Sequence, residues 1–446
     1  MSELVAISGG TLIDVRSGTP HPNTTVLVDR DRIAAVGPMP QLPETARVID
    51  ATGTWLLPGL MDMHAHTTGE RHKDKIHHLY LAYGVTTVRD TGGNLTLLRL
   101  LRERIARGSH AAPSIFFAGP LLDGATPVWP PTSIMVDTPE RARGAVEFLA
   151  GQGVDFIKIY NWVPEGSLQV ILDTAHRHGL RVTGHVPRTI TMTRAIQLGI
   201  DCLEHIRITG RELLPSDEAD RLDGLPVARR ETLLWERFEL ESESMQRLVR
   251  LVADSRVFFD PTLLVDSALS MDGYAIDADN PANADVPDDV RRAFVHEERP
   301  EIFDLSSEYV RTARDGFSKR QRLVGMLHEA GARLLAGTDC FGLGKQLPGL
   351  GLQNELTLLV ESGLSPLAAL QAATVTAAEA LGQSETLGTL EAGKRADLVV
   401  LEADPLADIR NARVVRTVVK GGRVYDAAAL REQGRSNRLA EAAVAT

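Results

Sequence analysis

Short apolar segments alternate with longer amphipathic segments through the middle of the chain. Eight of the apolar segments have the length and composition of strands, and they cover residues 58–66, 86–90, 114–119, 155–160, 181–186, 201–206, 257–263 and 333–339. Helix-length segments lie between several of them, at Thr96–Arg107, Pro139–Gly151, Glu165–His178 and Met192–Leu198. Alternating strands and helices predict parallel β/α units, and eight units predict an α/β fold with a (β/α)8 TIM-like barrel over residues 58–385.

The two ends of the chain have a different pattern. In residues 1–57, Gly-Gly, Ser-Gly and proline separate short β-rich runs, and residues 386–446 have the same texture. Short runs that are bounded by turn residues are typical of β-strands joined by turns. We therefore expect one small β-sandwich domain that is built from both termini.

Two connections of the predicted barrel exceed the usual length: residues 207–250, which contain an extra helical segment, and residues 266–304. The second connection is strongly acidic. It contains eleven acidic and three basic residues, together with several prolines. A long acidic loop on the catalytic face is either an active-site lid or solvated surface. We adopt the lid as a hypothesis and keep the surface alternative open.

The composition limits the class of partner. The 446 residues carry a formal net charge of −11, which argues against nucleic acid or an anionic membrane surface and favours a small-molecule substrate. No apolar run has the length of a transmembrane helix, and the first ten residues lack the pattern of a signal peptide. Two cysteines cannot form a disulfide framework, so we expect a cytoplasmic protein.

Polar residues that can bind a metal stand near the carboxyl ends of the predicted strands. In Pro58–His66, side-chain alternation places Asp62, His64 and His66 on one face of the first strand. The complete set of candidate ligands is His64, His66, Lys158, His185, His205 and Asp339. The carboxyl ends of barrel strands meet at one face, where TIM barrels carry their chemistry, so this pattern predicts one metal site.

A second His-x-His sequence serves as an internal control. His176 and His178 have the same spacing as His64 and His66, but they stand at the end of a helix-like segment. Residues i and i+2 of a helix do not face each other. We interpret the second pair as solvated surface.

The candidate ligands suit two zinc ions. Catalytic zinc sites take about three protein ligands and a water. His64, His66 and Asp339 lie on strands that become neighbours when a barrel closes, and they can hold one ion. His185 and His205 lie on adjacent strands and can hold a second. We therefore expect two Zn²⁺ ions per chain, with other divalent metals left open.

Lys158 and Asp339 have special roles in this hypothesis. Burial near cations favours the neutral amine of Lys158, which can add carbon dioxide to become an anionic carbamate that bridges both ions. Asp339 is the candidate catalytic residue, because it can accept the proton of the attacking water and pass it to the leaving group. Two alternatives stay open: Lys158 can extend to solvent, and His185 or His205 can be a core histidine.

The chain resembles the amidohydrolase superfamily at several of these segments, and nearly end to end. The similarity is closest to the imidazolonepropionase-related and Xaa-Pro or Xaa-Arg dipeptidase-like branch. The segments are Pro58–His66, Gly84–Asp90, Asp155–Tyr160, Gly184–Pro187, Leu203–His205, Ala336–Asp339, Thr374–Gly382 and Glu391–Val400. The resemblance implies a binuclear zinc centre with carboxylated Lys158 and the five other ligands named above. It also implies a homo-oligomer, which is common among such relatives.

The resemblance separates classes of reaction. Deaminases of the superfamily carry a glutamate three positions after the histidine of the fifth strand, and Arg188 occupies that position here. We therefore expect a metal-dependent hydrolase that cleaves a peptide-like or N-acyl amino-acid amide bond. Tyr160, Arg188 and Arg207 are candidates for binding the carbonyl or carboxylate of the substrate. Two alternatives stay open: a lactone, carbamate or organophosphate ester as the substrate, and a metal-free binding or scaffold protein.

Overall fold

The computed structural model describes residues 4–68, 76–223, 225, 227–271, 284–286, 307–339 and 347–435. In chain order, the strands of these residues are β1 (Leu4–Ile13), β2 (Pro20–Asp29), β3 (Arg32–Gly37), β4 (Ala46–Asp50), β5 (Trp55–Pro58), β6 (Leu60–Ala65), β7 (Val85–Asp90), β8 (Ser114–Phe117), β9 (Leu121–Asp123), β10 (Ser133–Met135), β11 (Phe156–Ile159), β12 (Arg181–Gly184), β13 (Cys202–Glu204), β14 (Phe258–Asp260), β15 (Arg333–Leu334), β16 (Leu398–Leu401), β17 (Val415–Lys420) and β18 (Arg423–Asp426).

Helices separate most of the parallel strands. They are α1 (His78–Ala82), α2 (Leu95–Ala106), α3 (Pro139–Gly151), α4 (Glu165–Arg177), α5 (Met192–Leu198), α6 (Gly210–Leu213), α7 (Ser216–Asp223), α8 (Val227–Arg237), α9 (Glu243–Ser255), α10 (Leu263–Met271), α11 (Ser307–Glu329), α12 (Leu350–Glu361), α13 (Pro366–Ala372), α14 (Val375–Ala380) and α15 (Ala427–Arg435). Side chains that accept a hydrogen bond from the first turn begin several of them. Asn94 caps α2, Thr138 caps α3 and Thr191 caps α5.

The parallel strands form two sheets, which confirms the predicted α/β class. One sheet has the order β6-β7-β8, and the other has the order β10-β9-β11-β12-β13-β14-β15. Backbone hydrogen bonds join the sheets on both sides. The Met63 N–H donates to the Ala336 carbonyl at 3.0 Å, and the Asp155 N–H donates to the Phe117 carbonyl at 3.0 Å.

The third predicted strand, 114–119, is broken in the structure. Gly119 has a φ of 73° and is followed by Pro120, so the extended backbone stops between β8 and β9. The two pieces then pair with different neighbours, β8 with β7 and β9 with β11. The parallel strands are therefore divided between β8 and β9, and a second division lies between β15 and β6.

Both ends of the chain contribute to one further sheet, the terminal sheet. Its order is β18-β17-β16-β5-β1-β2-β3, with β4 paired to β1. Buried Ile7, Val26, Leu56 and Leu398 belong to its own hydrophobic cluster. The pairing of β16 with β5 connects the last part of the chain to the strand that precedes β6.

One prediction concerns a segment that is only partly described. The hypothetical lid, 266–304, lies largely outside the described residues, which include only its parts 266–271 and 284–286.

Among the helices of the described residues, none combines the length and the apolar character that a bilayer crossing requires.

Candidate metal centre

The structure brings the predicted ligands together at the carboxyl ends of the parallel strands. Asp339 stands among three imidazoles. Its Oδ1 atom lies 3.2 Å from His66 Nε2 and 3.5 Å from His64 Nε2, and its Oδ2 atom lies 3.9 Å from His205 Nε2. One ligand atom each of His64, His205 and Asp339 lies within 4.8 Å of the other two.

The fourth imidazole, that of His185, lies next to this group. The ring centroids of His185 and His205 are 4.6 Å apart, and those of His64 and His205 are 4.7 Å apart. His64, His185 and His205 are buried, whereas His66 is partly exposed. The four imidazoles and one carboxylate therefore form one continuous set of metal-type donors.

All four imidazoles are held in place through Nδ1. The acceptors or partners are different for each ring: Glu204 Oε2 at 2.6 Å for His64, the Gly92 carbonyl at 2.8 Å for His66, Asn161 Oδ1 at 2.8 Å for His185 and Thr262 Oγ1 at 2.6 Å for His205. Carbonyl and carboxylate oxygens only accept, so the rings that contact them donate from Nδ1. This tautomer leaves the Nε2 lone pair for a metal, as is usual when a partner orients a ligating histidine.

Burial keeps these rings in the form that binds a metal. It lowers the pKa of His64 to about 4, with a further decrease from nearby Lys158. Burial also holds the pKa values of His185 and His205 well below the usual range. The imidazoles of His64, His185 and His205 are therefore neutral at neutral pH, and only a neutral ring has a lone pair to donate.

Two of the candidate ligands have an unusual backbone. His205 has a φ of 61° and Asp339 a φ of 47°, and Thr262, the partner of His205, also has a φ of 47°. A left-handed backbone at residues other than glycine costs about 1–3 kcal/mol each and is concentrated at functional sites. At His205 it ends the strand alternation, so that Glu204 and His205 both reach His64.

Lys158 lies beneath the imidazoles and is only 1% exposed. The alternative in which it extends to solvent is therefore wrong. Its Nζ atom has no hydrogen-bond partner within the described part of the chain. Burial lowers the pKa of this amine, and the Arg89 cation lowers it further, against the opposing effect of Glu204 and Asp339. A buried, unpartnered amine beside five metal-type donors fits a lysine that carries a metal-binding group.

A layer of buried charges supports the centre from below, and the sequence pattern did not reveal it. Arg89 Nη2 lies 2.7 Å from Glu204 Oε1 and 3.4 Å from Asp260 Oδ2, and Arg89 Nε donates to the Met63 carbonyl at 2.6 Å. Ligand-type atoms of His64, Glu204 and Asp260 also lie within 4.8 Å of one another. The Arg89 guanidinium contacts both carboxyl groups, so we assign Glu204 and Asp260 to support of the centre.

Asp62 and Thr338 fix the two strands that carry His64 and Asp339. The Thr338 hydroxyl donates to Asp62 Oδ2 at 2.8 Å, and the Thr338 N–H donates to Asp62 Oδ1 at 3.1 Å. Both side chains are fully buried. Asp62 shares the face of His64 in the sequence pattern, and this was the only available signal for its support of the site.

The three candidate substrate residues have different positions. The Tyr160 ring centroid lies 4.2 Å from that of His185, directly beside the centre. Arg207 Nη1 lies 3.9 Å from Glu231 Oε1, and Arg207 Nε has no hydrogen-bond partner among the described residues. The guanidinium carbon of Arg188 lies 4.7 Å from the centroid of the Trp162 ring.

Comparisons with known sequences place most of the chain in one family. Residues 55–425 match the model of the amidohydrolase family. The imidazolonepropionase of Pseudomonas fluorescens (strain Pf0-1) is 25% identical over 398 residues, which cover 84% of this chain and 86% of that protein. A dihydroorotase of Anaeromyxobacter sp. (strain K) is 35% identical over 78 residues, which cover 17% of this chain. That match spans only 18% of the dihydroorotase.

Solved structures share the fold over almost the whole chain. A prolidase complexed with N-methylphosphonate-L-proline has a TM-score of 0.69 at 21% identity, covering 95% of this chain and 99% of that one. A Xaa-Pro dipeptidase with bound methionine in the active site has a TM-score of 0.69 at 23% identity, covering 95% and 100%. A bottromycin amidohydrolase has a TM-score of 0.76 at 23% identity, covering 96% and 88%. The family match extends over most of the chain, and the chain therefore belongs to the amidohydrolase family.

Proposed function

We propose that this protein is a metal-dependent hydrolase that cleaves a peptide-like or N-acyl amino-acid amide bond. One observation carries the proposal: four imidazoles are each oriented through Nδ1, three of them present Nε2 to Asp339, the fourth (His185) lies against His205, and a buried lysine without a partner among the described residues lies beside them. The names of the similar solved structures, a prolidase, a Xaa-Pro dipeptidase and a bottromycin amidohydrolase, support an amide as the bond that is cleaved.

The donor set fits two divalent cations, for which we propose zinc. His64, His66 and Asp339 would hold one, and His185 and His205 would hold the other. Bound cations would supply Lewis acidity and lower the pKa of a bound water from about 15.7 to about 7. The wider frame that we propose is a closed (β/α)8 barrel over residues 58–385, joined to a small sandwich domain from residues 1–57 and 386–446.

Lys158 supplies the missing anion in this proposal. Two divalent cations bring four positive charges, whereas Asp339 and a hydroxide bring two negative ones. The neutral Nζ attacks carbon dioxide and releases one proton, which gives a carbamate with one negative charge and two oxygens. Burial of Lys158 favours the neutral amine that this reaction requires.

Asp339 and Tyr160 perform the proton and hydrogen-bond chemistry. A carboxylate oxygen of Asp339 accepts the proton of the attacking water and later delivers it to the leaving nitrogen. The Tyr160 hydroxyl accepts a hydrogen bond from Trp129 Nε1 at 3.1 Å, so its own proton is available for the carbonyl oxygen of the substrate. Burial raises the pKa of Tyr160, which keeps that proton in place.

Arginines provide the positive charge for a substrate carboxylate. Arg207 faces the side of the centre that carries Tyr160 and Asp339, both of which contribute to its electrostatic environment together with Glu231 and Asp266. The Arg207 side chain is 32% exposed, so its guanidinium can donate to a carboxylate oxygen. Arg188, beside Trp162, is the second candidate.

Matched substrate panels test the proposal. Zinc-loaded protein is assayed with dipeptides and N-acyl amino acids, with lactones and carbamates, and with phosphotriesters. We expect kcat/KM to be highest for the amide panel, measured as release of free amine. Higher kcat/KM values for lactones, carbamates or phosphotriesters would show that the protein cleaves one of these bonds in preference to an amide. Purified protein that takes up no metal would instead indicate a binding or scaffold protein.

A further inference from the structure

Two exposed tryptophans border the candidate centre. Trp129 is 37% exposed in the connection between β9 and β10, and Trp162 is 39% exposed just after β11. The chain has only four tryptophans, and Trp235, by contrast, is fully buried in the core. Exposed apolar surface that is rimmed by polar residues marks binding sites, and here the polar rim is the candidate centre. These two indoles therefore need a functional account.

Both indoles are connected to the centre through short contacts. Trp129 donates its Nε1–H to the Tyr160 hydroxyl at 3.1 Å, and the Tyr160 ring lies against His185 at 4.2 Å between centroids. Trp162 stands two residues after Tyr160 and contacts the guanidinium of Arg188. The tryptophans thus continue the wall that begins at the candidate ligand His185.

A buried carboxylate fixes the two tryptophan-bearing loops to each other. Asp123, which is fully buried, accepts hydrogen bonds from the backbone N–H groups of Gly124 at 2.9 Å, Val128 at 3.0 Å and Trp162 at 2.8 Å. A Cβ at Gly124 would lie 2.1 Å from the Trp162 carbonyl oxygen, so only glycine permits this approach. Loops that are fixed before binding lose little conformational entropy when a ligand binds.

We infer that Trp129 and Trp162 form an aromatic subsite, which selects a substrate whose amino-acid part carries an aromatic side chain. The inference rests on the proposed amide hydrolysis and names its substrate class. Aromatic rings gain both apolar contact and favourable ring geometry against indoles. The Arg188 guanidinium at the same wall suits the carboxylate of an aromatic amino acid.

Turnover and binding together test the aromatic subsite. We compare N-acetyl-L-phenylalanine with N-acetyl-L-alanine, and Phe-Ala and Ala-Phe with Ala-Ala, in the zinc-loaded wild type and in Trp162→Ala. We expect the wild type to prefer the phenylalanine substrates at least tenfold in kcat/KM. Trp162→Ala should lose about tenfold more on them than on the alanine substrates, the lower end of what one methylene produces in a hydrophobic pocket.

A matched variant and a binding measurement separate the possible outcomes. Phe148→Ala removes an aromatic ring that is 51% exposed on α3, and it should change neither preference nor metal content. Calorimetry with free L-phenylalanine and L-alanine measures binding at the subsite without turnover. The wild type should bind phenylalanine more tightly than alanine, and Trp162→Ala should not. Amide turnover without any side-chain preference would overturn the subsite and keep the hydrolase. Phenylalanine binding that depends on Trp162, without turnover of any amide, would keep the subsite and overturn the hydrolase.

Discussion

The sequence His64-Ala65-His66 on β6 and the sequence His176-Arg177-His178 at the end of α4 have the same spacing and different surroundings. In the first, Nδ1 of each ring is held by Glu204 or Gly92, and Nε2 of each ring faces Asp339. In the second, both rings are exposed, and His176 Nε2 is already paired with Asp201 Oδ2 at 2.8 Å. Spacing alone therefore does not make a metal site.

The two pairs differ in what fixes the orientation of the rings. On β6, side chains that alternate across the strand bring both imidazoles to one face, and buried partners choose the tautomer. At the end of α4, the helix turns residues i and i+2 apart, and solvent surrounds both rings. The candidate metal centre thus combines a strand, oriented imidazoles and neighbouring strands with further donors.

The largest effect is expected from Lys158→Ala, because this change would remove the anion that we propose to be shared by the two metal ions. We expect loss of much of the metal and of nearly all activity. Metal content is measured by inductively coupled plasma mass spectrometry, and rescue of activity is attempted with acetate or propionate. Small carboxylates should restore part of the activity, and acetamide, which has no charge, should not. A variant with normal metal content and turnover would exclude a bridging role for Lys158.

Asp339→Asn comes next and separates metal binding from proton transfer. The amide keeps an oxygen that can bind a cation but accepts no proton at neutral pH. We expect most of the metal to remain and kcat to decrease by about 10²-fold or more, since general acid–base groups contribute about 10²–10⁴-fold. Near-normal kcat would assign the proton transfer to another group.

Glu204→Gln has a smaller expected effect and sharpens the comparison directly. It keeps the shape of the side chain that holds His64 Nδ1 but removes the negative charge shared with Arg89. Loss of such a partner weakens metal affinity by about 10–100-fold. Competition with a chelator measures the affinity without reference to turnover. The matched change Thr262→Val removes the neutral partner of His205 and should weaken affinity less.

His176→Ala combined with His178→Ala should have the smallest effect. The His176–Asp201 contact is partly exposed, and exposed ion pairs contribute about 0–1 kcal/mol. We expect the free energy of unfolding, measured with urea, to change by no more than about 1 kcal/mol. A larger loss would mean that this pair has a structural role that its exposure does not reveal.

Much of the fold could be predicted because the relevant signals are local. Each of the eight predicted strands contains a strand in the structure, and the four predicted helices coincide closely with α2 to α5. The division at Gly119–Pro120 was missed, because an apolar run before a glycine does not show where the partner strand changes. The pairing of β5 with β16 joins residues that are distant in sequence, and only the packed structure gives its register.

The candidate site, like the fold, could be predicted only in part. The candidate ligands share a visible pattern, a metal-type residue at the end of an apolar run. The support by Glu204 was hidden, because strand alternation places it opposite to His205 until the left-handed backbone at His205 changes that direction. Arg89 and Asp260 were hidden as well, since a charge within an apolar strand does not identify its partner on another strand.

One measurement tests the central claim most directly: the number of metal ions per chain in the wild type and in the two matched double variants. The account predicts about two ions in the wild type, two in His176→Ala/His178→Ala, and a loss of at least one in His64→Ala/His66→Ala. Equal metal content in all three proteins would contradict the claim that the imidazoles of β6 form the metal centre.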